Sequence, residues 1–471
     1  MRKTFTVCLV CFLAFTLVLT GLSVSVSGAD IFNDHMPAPP KVENVGTVYV
    51  YNIENERLIY SYQAEKTIYP SSLVKVMSAL VACERLEGRL EERVTLTSEM
   101  LEGTTGTHLG LKAGETFSVR QLLYAAFCGS NNDAVNAIAC IVSGSVAEFV
   151  ADMNERALEL GATSTNFVNP TGIHNKAMVS TTKDIAKICL AASANPLVSQ
   201  ITDTERYEIP KTEENERYMI YTRNMLLTAR YGGDYVNKHA VGLNAGMTNE
   251  GGECVATVAK KDGLSYLCIV TGGKTVEEEP KKTYISSYRL ANEMINWCFE
   301  SFGYVTLFDE SLPCADVKVT YGNKVDQLSA HPTDKLVMYL PTSFDPVTSL
   351  TFRPKLLQTE FEAPVEEGMR VGSMAVYYEG VLVGEVDLVT FKGAERDEFM
   401  YALGRIKGIT QNRFFLLTVG FFAFYIVLFL IIGALFNRTA RRAAVKAVNL
   451  KGSAKSTKKA PARKRGQQKR D

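Results

Sequence analysis

The chain of 471 residues lacks several patterns that mark common classes of enzyme. Of its 10 cysteines, the eight that follow Cys8 and Cys11 show no paired metal-binding spacing, so nothing in the body indicates a cysteine-ligated zinc site. None of its 5 histidines lies in a recognisable catalytic-triad context, and no Gly-x-Ser-x-Gly motif is present. We therefore expect no metal and no other cofactor, and a serine hydrolase of this sequence would need a base other than histidine.

Disulfide bonds are not required by the cysteine pattern either. Cys8 and Cys11 lie near the N-terminus, and the other eight are scattered over a body that is long enough to bury a core without disulfides. We expect most of these eight to be buried as small apolar residues. Cys254 and Cys268 fall on two predicted neighbouring strands, where they could pair.

A formal net charge of +0 conceals a separation of the two signs along the chain. Residues 437–471 carry 13 Lys and Arg and one acidic residue, whereas the body without this tail and without Arg2 and Lys3 has 36 basic and 50 acidic residues. The body therefore has a charge of about −14 and is a poor candidate for binding nucleic acid. The basic tail could contact anionic lipid or nucleic acid, or act as a disordered topology signal.

Two apolar segments indicate export and membrane attachment. A basic start, an apolar run and small residues ending at Ala29 have the order of a secretory signal peptide at 1–29. Residues 414–436 contain no charged side chain and are long enough to span a bilayer. Because positive residues beside a span stay in the cytoplasm, we expect a single-pass cell-membrane protein with its body outside and residues 437–471 inside.

The pattern between these ends predicts an α+β domain at 30–303 and a small β domain at 304–397. Predicted elements of the first domain are a hairpin (47–53 and 58–62), a helical region (118–160), three antiparallel strands (240–246, 253–259 and 264–271) and a last helix (283–299). Strands from the beginning and the end of this domain should share one antiparallel sheet flanked by helices. Residues 398–413 are predicted to form a short amphipathic helix that leads into the span.

A serine and a lysine stand one helical turn apart in residues 69–80, YPSSLVKVMSAL. The pattern predicts a helix with a buried apolar face, and Pro70 and Ser71 provide its N-terminal stop and cap. Ser72 and Lys75 would then lie on the same face of the first turn. A serine hydroxyl is a weak nucleophile until a base takes its proton, and a lysine held neutral by burial can be that base. The alternative is that both residues are simply exposed to solvent.

A second short motif accompanies this pair. CGSNNDA places Ser130 and Asn132 at a predicted break between two helices, from which a hydroxyl and a carboxamide can point into a cleft. Both motifs recur elsewhere in the chain: Ser-x-x-Lys at Ser180–Lys183 and Ser456–Lys459, and Ser-x-Asn at 164–166 and 193–195. Each motif is therefore weak by itself, and their order, spacing and flanking residues carry the interpretation.

With these motifs the sequence resembles the low-molecular-weight penicillin-binding proteins that act as serine D-alanyl-D-alanine carboxypeptidases. Their motifs are Ser-x-x-Lys, Ser-x-Asn and Lys-Thr-Gly. The resemblance covers nearly all of the exported chain and is carried by YPSSLVKVMSAL, LKAGETFSVRQLL through SNNDA, FVNPTGI with STTKDIA, TRNMLL, and EAPVEEGMRVGSMAVY. The implied fold is a penicillin-binding/β-lactamase-like transpeptidase domain with a small C-terminal β domain and a membrane-anchored end.

The resemblance also implies a role for each matched residue. Ser72 would be acylated by the penultimate D-alanine of a peptidoglycan stem peptide that ends in D-Ala-D-Ala. Lys75 would be its base, Ser130 would relay a proton to the leaving amine, and Asn132 would hold the substrate amide. The oxyanion would lie between the backbone N–H groups of Ser72 and Met247. β-Lactam antibiotics would inhibit by acylating the same serine.

The third motif departs from the family pattern. Where the family has Lys-Thr-Gly, this chain reads Asn244-Ala245-Gly246, so the cation and the hydroxyl that hold the terminal carboxylate are missing. Asn244 remains in the expected substrate-binding set, and Arg223 of TRNMLL matches a family arginine that lines the same carboxylate site. One charge-assisted hydrogen bond is worth about 1.5–3 kcal/mol, or roughly 10- to 200-fold in rate. Loss of the serine or its base costs about a millionfold.

Three functions can be weighed on this basis. The first is a membrane-anchored serine D-alanyl-D-alanine carboxypeptidase that trims peptidoglycan, with activity reduced by the altered third motif. The second is a non-catalytic homologue that binds cell-wall peptide in a structural or regulatory role. The third, a β-lactamase, would need a deacylating water system, for which the sequence shows no feature. The intact first two motifs favour the first function, whereas the altered third motif favours the second.

Overall fold

The computed structural model describes residues 30–231, 233–278 and 282–452. The predicted signal peptide at 1–29 and residues 453–471 of the tail lie outside the described residues. Contacts divide the chain into two units. The first runs up to Phe308 and includes Lys335–Thr351 and Tyr377–Val383, and the second contains Asp309–Asp334, Phe352–Val376 and the chain from Gly384 onward. The domain boundaries at 303 and 397 stay a prediction.

An antiparallel sheet forms the centre of the first unit. Its strands are β1 (Thr47–Asn52), β2 (Arg57–Tyr62), β9 (Ala240–Thr248), β10 (Gly252–Lys261) and β11 (Leu264–Gly273). Their order is β2-β1-β11-β10-β9, and Val50 of β1 lies opposite Cys268 of β11. The prediction that strands from both ends of the domain share one sheet is confirmed.

Shorter strands of the first unit pair two by two. They are β3 (Thr67–Ile68) with β6 (Ser180–Thr181), β4 (Arg93–Thr95) with β5 (Thr116–Ser118), β7 (Arg206–Ile209) with β8 (Tyr218–Tyr221), β12 (Thr275–Glu278) with β13 (Lys282–Ile285), and β14 (Phe302–Phe308) with β17 (Leu336–Pro341).

Helices cover both faces of the central sheet. They are α1 (Ile31–Asp34), α2 (Val74–Leu86), α3 (Ser98–Leu101), α4 (Val119–Leu123), α5 (Asn132–Ser143), α6 (Val146–Glu159), α7 (Thr182–Ala194), α8 (Pro196–Thr202), α9 (Ser286–Ser301) and α10 (Pro346–Ser349). Helices α2, α7 and α8 pack on one face and α9 on the other. This double cover explains why β10 contains an unbroken buried run, Cys254–Ala259, rather than an alternating pattern.

The starts of α6 and α2 differ. Ser145 caps α6, because its hydroxyl accepts from the Glu148 N–H at 3.2 Å. At the other helix a 3₁₀ turn, Ser71–Leu73, precedes α2, and no side chain caps it. Ser71 has a φ of 51°, and its hydroxyl bonds instead to Thr248 Oγ1 of β9 at 2.9 Å. The prediction of Ser71 as the cap is wrong because β9 holds its side chain.

The second unit contains most of a β sheet of short strands. These are β15 (Ala315–Thr320), β16 (Gln327–Pro332), β18 (Leu350–Leu356), β19 (Glu360–Glu362), β20 (Arg370–Tyr378) and β21 (Val381–Thr390), in the order β18-β20-β21-β16-β15-β19. Its core includes the buried side chains of Val317, Phe361, Val371 and Leu388, which lie on four different strands. The predicted C-terminal β domain is confirmed as a fold class.

Two helices follow, α11 (Glu398–Gln411) and α12 (Arg413–Gly452). Asp397 caps α11 by accepting from the N–H groups of Phe399 and Met400. Within α12, Arg413–Val445 lies fully exposed and contains a stretch that is long and apolar enough to cross a membrane. The predicted span at 414–436 falls inside this stretch.

All eight cysteines in the described part of the chain are free thiols, and six of them are buried. Cys254 lies opposite Gly246, and Cys268 lies opposite Thr257. The two cysteines therefore do not face each other, and the strands hold them as small apolar residues.

Candidate active site

A cleft of about 260 Å³ opens where strand β9 passes the start of helix α2. Six of the seven predicted site residues line it: Ser72, Lys75, Ser130, Asn132, Arg223 and Met247. A larger cavity of about 390 Å³ lies beside Thr202, Asp203 and Lys260 and contains none of the seven. The residues with predicted catalytic or binding roles therefore lie together in the smaller, more polar cleft.

Ser72 lies close to β9 because position 246 has no side chain. A Cβ atom on Gly246 would be 2.5 Å from Ser72 Oγ and 2.8 Å from Ser72 Cβ, so only glycine lets the strand pass here. A second glycine lies close to the same segment: a Cβ atom on Gly172, which has a φ of 81°, would collide with the carbonyl of Ser71. The serine hydroxyl is half-buried at the beginning of the helical segment, where the helix dipole favours developing negative charge.

Lys75 is buried beneath Ser72 in the first turn of α2. Its side chain belongs to a residue that is only 3 % exposed, and its Nζ donates to the Thr171 carbonyl at 2.5 Å. Lys75 forms no ion pair within the described ranges. Burial lowers the pKa of the Lys75 amine from 10.5 to about 7. Near neutral pH this lysine is therefore available as an uncharged base.

Ser130 and Asn132 follow a local break in the helical region. A π-helical segment, Tyr124–Cys128, separates α4 from α5, and Ser130 adopts a φ of 56° directly after it. Asn132 Nδ2 donates to the Thr105 carbonyl at 2.7 Å, whereas its Oδ1 is buried and has no partner in the described part of the chain. A buried acceptor without a donor is costly, so this oxygen is suited to receive an N–H from a ligand.

Asp133 fixes the wall of the cleft beside Asn132. Its carboxylate accepts from the backbone N–H groups of Leu109, Gly110 and Leu111 at 3.0, 2.8 and 3.0 Å. The sequence analysis did not assign a role to this residue. Its position next to the Ser-x-Asn motif was the available signal, because a buried carboxylate must find donors nearby.

Asn244 is the predicted site residue that does not line the cleft. Its side chain is buried, with the residue 6 % exposed, and its Oδ1 accepts from the Ala245 N–H at 2.7 Å. Successive side chains of a strand point to opposite faces, so Asn244 and Ala245 point in opposite directions. The predicted contact of Asn244 with substrate therefore stays a prediction, while Ala245, Gly246 and Met247 of the same strand line the cleft.

Arg223 supplies an exposed cation at the rim of the cleft. Its guanidinium lies 5.3 Å from the ring centroid of Tyr231 and pairs with no carboxylate among the residues described. The neighbouring Asn224 is buried, and its Nδ2 donates to the Gly242 carbonyl of β9 at 3.2 Å. This bond ties the segment that carries Arg223 to the strand that carries the third motif.

The sequence motifs did not point to two residues of the cleft, Glu253 and Tyr288. Glu253 lies on β10 opposite Met247, and burial raises the pKa of its carboxyl group. Tyr288 comes from α9, and its hydroxyl donates to the Arg223 carbonyl at 3.4 Å. An acidic residue at the head of the apolar run ECVATVA was a signal for Glu253, whereas Tyr288 gave none.

The other Ser-x-x-Lys motif of the body has a structural role. The Ser180 hydroxyl bonds to Thr165 Oγ1 at 2.8 Å, and Lys183 forms an ion pair with Glu65 at 2.7 Å. Neither residue lines the cleft. The motif at Ser456–Lys459 lies outside the described residues.

Comparison with known families decides the class of this protein. Residues 35–275, more than half of the chain, match the family of D-alanyl-D-alanine carboxypeptidases called Peptidase_S11. The chain belongs to this family. Residues 302–396 of this family member match the C-terminal domain of penicillin-binding protein 5. The predicted family and its serine-type peptidase class are therefore confirmed.

Curated relatives share this description. A D-alanyl-D-alanine carboxypeptidase of Bacillus subtilis is 24% identical over 356 residues, which are 75% of this chain and 86% of that protein. One of Mycobacterium tuberculosis is 31% identical over 237 residues, which are 49% of this chain and 74% of that protein. The crystal structure of penicillin-binding protein 5 from Haemophilus influenzae has a TM-score of 0.53 at 20% identity, covering 76% of this chain and 100% of the other. This likeness confirms the predicted fold.

Proposed function

We propose that this family member is a membrane-anchored carboxypeptidase that removes the terminal D-alanine from peptidoglycan stem peptides through an acyl-enzyme. One observation carries the proposal: Ser72, Lys75, Ser130 and Asn132 meet in a single cleft in which the lysine amine is buried and has a lowered pKa. A hydroxyl, a neutral base, a second hydroxyl and an unpaired carboxamide oxygen are the groups that acyl transfer from a peptide requires.

The reaction would proceed in two halves. The uncharged amine of Lys75 takes the proton of Ser72 while Oγ bonds to the carbonyl carbon of the penultimate D-alanine. The C–N bond to the terminal D-alanine then breaks, and the proton passes through Ser130 to the leaving amine. Water attacks the resulting ester, the shortened peptide leaves, and Ser72 regains its proton.

The remaining groups would orient the peptide and stabilise charge. The backbone N–H groups of Ser72 and Met247 form the proposed oxyanion site, and a donor of this kind is typically worth about 3–4 kcal/mol. The unpaired Oδ1 of Asn132 accepts an N–H of the substrate. Arg223 attracts the terminal carboxylate, and the carboxylate of a β-lactam would use the same contact.

A non-catalytic wall-binding role is the second candidate, and the composition of β9 favours it. Ala245 lines the cleft where the family has a hydroxyl, and no cation stands at position 244. Loss of one charged hydrogen bond lowers a rate by roughly 10- to 200-fold, far less than loss of the nucleophile. We therefore favour a slowed enzyme over an inactive one.

Labelling of the full-length protein with a fluorescent penicillin, followed by assay of D-alanine release from a pentapeptide, tests both candidates. We expect mass mapping to locate the adduct on Ser72. Ser72→Ala should lose both signals, while the control Ser180→Ala should retain them. Acylation of Ser72 without D-alanine release would favour the wall-binding role, and an adduct on another serine would exclude the mechanism.

We also propose that α12 crosses the membrane through residues 414–436, with the peptidase domain at 30–303 and the β domain at 304–397 outside the cell. The exposed apolar helix supports the anchor. The positive residues at 437–471 support the orientation.

A further inference from the structure

The cleft contains a carboxylate that the proposed mechanism does not use. Four titratable or charged side chains line the cleft: Lys75, Arg223, Glu253 and Tyr288. The Glu253 side chain is half-buried and forms no hydrogen bond or ion pair within the ranges 30–231, 233–278 and 282–452. In particular, Arg223 does not pair with it. Glu253 is thus a carboxylate placed in a peptide-binding cleft without a partner of its own.

The strand register shows which part of the cleft Glu253 faces. Glu253 lies opposite Met247, and Val255 lies opposite Ala245. Residues directly opposite each other project to the same face of a sheet, as do alternate residues of one strand. Ala245 and Glu253 are therefore diagonal neighbours, at about 7–8 Å, within reach of a long side chain. The Glu253 carboxylate lies beside the altered third motif, where the family binds the terminal carboxylate of its substrate.

We propose that Glu253 weakens the preference of the cleft for a free C-terminal carboxylate, so that it also accepts peptides in which the carboxyl group of the residue after the scissile bond is in an amide. This inference rests on the proposed acyl-enzyme chemistry of Ser72 and refines its substrate class. Two ionised carboxylates this close repel each other, and Asn244 and Ala245 provide neither a cation nor a hydroxyl between them. A terminal amide carries no charge and can donate an N–H to Glu253.

Acid should weaken this effect of Glu253. Burial raises the pKa of Glu253, so its carboxyl group becomes neutral at a higher pH than that of an exposed glutamate. Lys75 also titrates, but it acts on the serine and affects both kinds of peptide equally. Arg223 is the other charged group that lines the cleft, and burial raises the pKa of Tyr288, which stays neutral. The ratio of rates for two substrates that differ only at the terminus therefore reports on Glu253.

The test compares two pentapeptides, one ending in D-Ala-D-Ala with a free carboxylate and the other with a terminal amide. The full-length wild type should hydrolyse both peptides, and Glu253→Gln should lower the amide-to-acid ratio of kcat/KM by about tenfold, the size expected for removal of one nearby like charge. The ratio should fall with decreasing pH in the wild type and stay flat in Glu253→Gln. Glu250→Gln is the matched control, because it removes a charge three residues away that does not line the cleft.

Further variants and substrates distinguish failure of the Glu253 inference from failure of the proposed function. Glu253→Ala must shift the ratio in the same direction as Glu253→Gln, since both remove the charge. An unchanged ratio in both variants would overturn the inference. If neither peptide is hydrolysed, the proposed function fails, and acylation rates of benzylpenicillin and its methyl ester then test Glu253 independently. In that assay Glu253→Gln should speed acylation by the acid relative to the ester, and an equal effect on both would also overturn the inference.

Discussion

At the scale of single residues, Lys75 is a group whose chemistry opposes folding. The unfolded chain holds the lysine proton up to its usual pKa of 10.5, whereas the folded chain releases it at about 7. Between these pH values the unfolded state binds more protons, so the contribution of Lys75 to stability becomes less unfavourable as pH rises. A buried lysine without a carboxylate partner is costly, and the proposed catalytic role beside Ser72 would account for that cost.

We expect the acylation of Ser72 by penicillin to depend on the protonation of Lys75. The rate constant should be highest above pH 7 and fall about tenfold per unit below it, because only the uncharged amine can take the serine proton. Stopped-flow or gel-based labelling between pH 5 and 9 measures this profile. Lys75→Met should abolish acylation, while Lys183→Met, which removes an exposed lysine from the other Ser-x-x-Lys motif, should leave the profile unchanged. A rate that is constant from pH 5 to 8 would contradict the base assignment.

The residues that line the cleft were predictable from the sequence where they belong to a motif. They were less predictable where a distant element brings them to the cleft. Ser72, Lys75, Ser130 and Asn132 belong to two short motifs and meet in the cleft. Tyr288 reaches the cleft from α9 only because that helix packs on β10 and β11, a contact that no local pattern encodes. The sequence therefore predicts the reactive groups better than the groups that select the substrate.

At the scale of elements, β9 closely approaches the start of α2 beside Ser72, the proposed nucleophile. Gly246→Ala should lower acylation by at least about 100-fold, because its Cβ would lie 2.5 Å from Ser72 Oγ and force the strand or the serine to move. Second-order acylation rates and thermal melting measure the effect on chemistry and on folding separately. Gly88→Ala is the control, since its Cβ would meet no atom within 4 Å. Equal acylation in both variants would show that the strand can retreat without cost.

The same strand carries the altered third motif, and its two positions should not contribute equally. Asn244→Lys combined with Ala245→Thr should raise D-alanine release by about 10- to 200-fold, the value of one regained charged hydrogen bond. Ala245→Thr alone should give part of this gain, since only Ala245 lines the cleft. Adding Arg223→Ala should raise KM for the acid-terminated peptide, because the carboxylate loses its rim cation. If the double variant releases no D-alanine while Ser72 is still acylated, the wall-binding role gains support.

The local sequence predicts the bounds of some elements well and fails where a bound depends on a distant part of the chain. The sequence pattern predicted three strands at 240–246, 253–259 and 264–271, and β9, β10 and β11 lie there with slightly longer bounds. The start of α2 was mispredicted at Ser71, because serine before a helix normally caps it, whereas here the hydroxyl bonds to Thr248. A partner that lies on a strand far along the chain cannot be read from the residues that precede a helix.

At the scale of the whole molecule, the acidic body and the basic tail support the proposed orientation in the membrane. The body carries about −14 and the tail 13 positive residues against one acidic residue, separated by a helix that contains the uncharged stretch 414–436. A stretch of 23 residues rises about 35 Å as a helix, which matches the hydrocarbon thickness of a bilayer.

This arrangement predicts which part of the chain an external protease can reach. In intact cells or spheroplasts, protease should digest the body that precedes residue 414 and leave a fragment containing the helix and residues 437–471, because short basic segments remain in the cytoplasm. Epitope tags placed at residue 30 and at the C-terminus identify the two products. Lysed cells are the control, in which the C-terminal tag must also disappear. Loss of the C-terminal tag in intact cells would reverse the orientation, and replacement of the tail's lysines and arginines by glutamine should weaken the orientation if charge sets it.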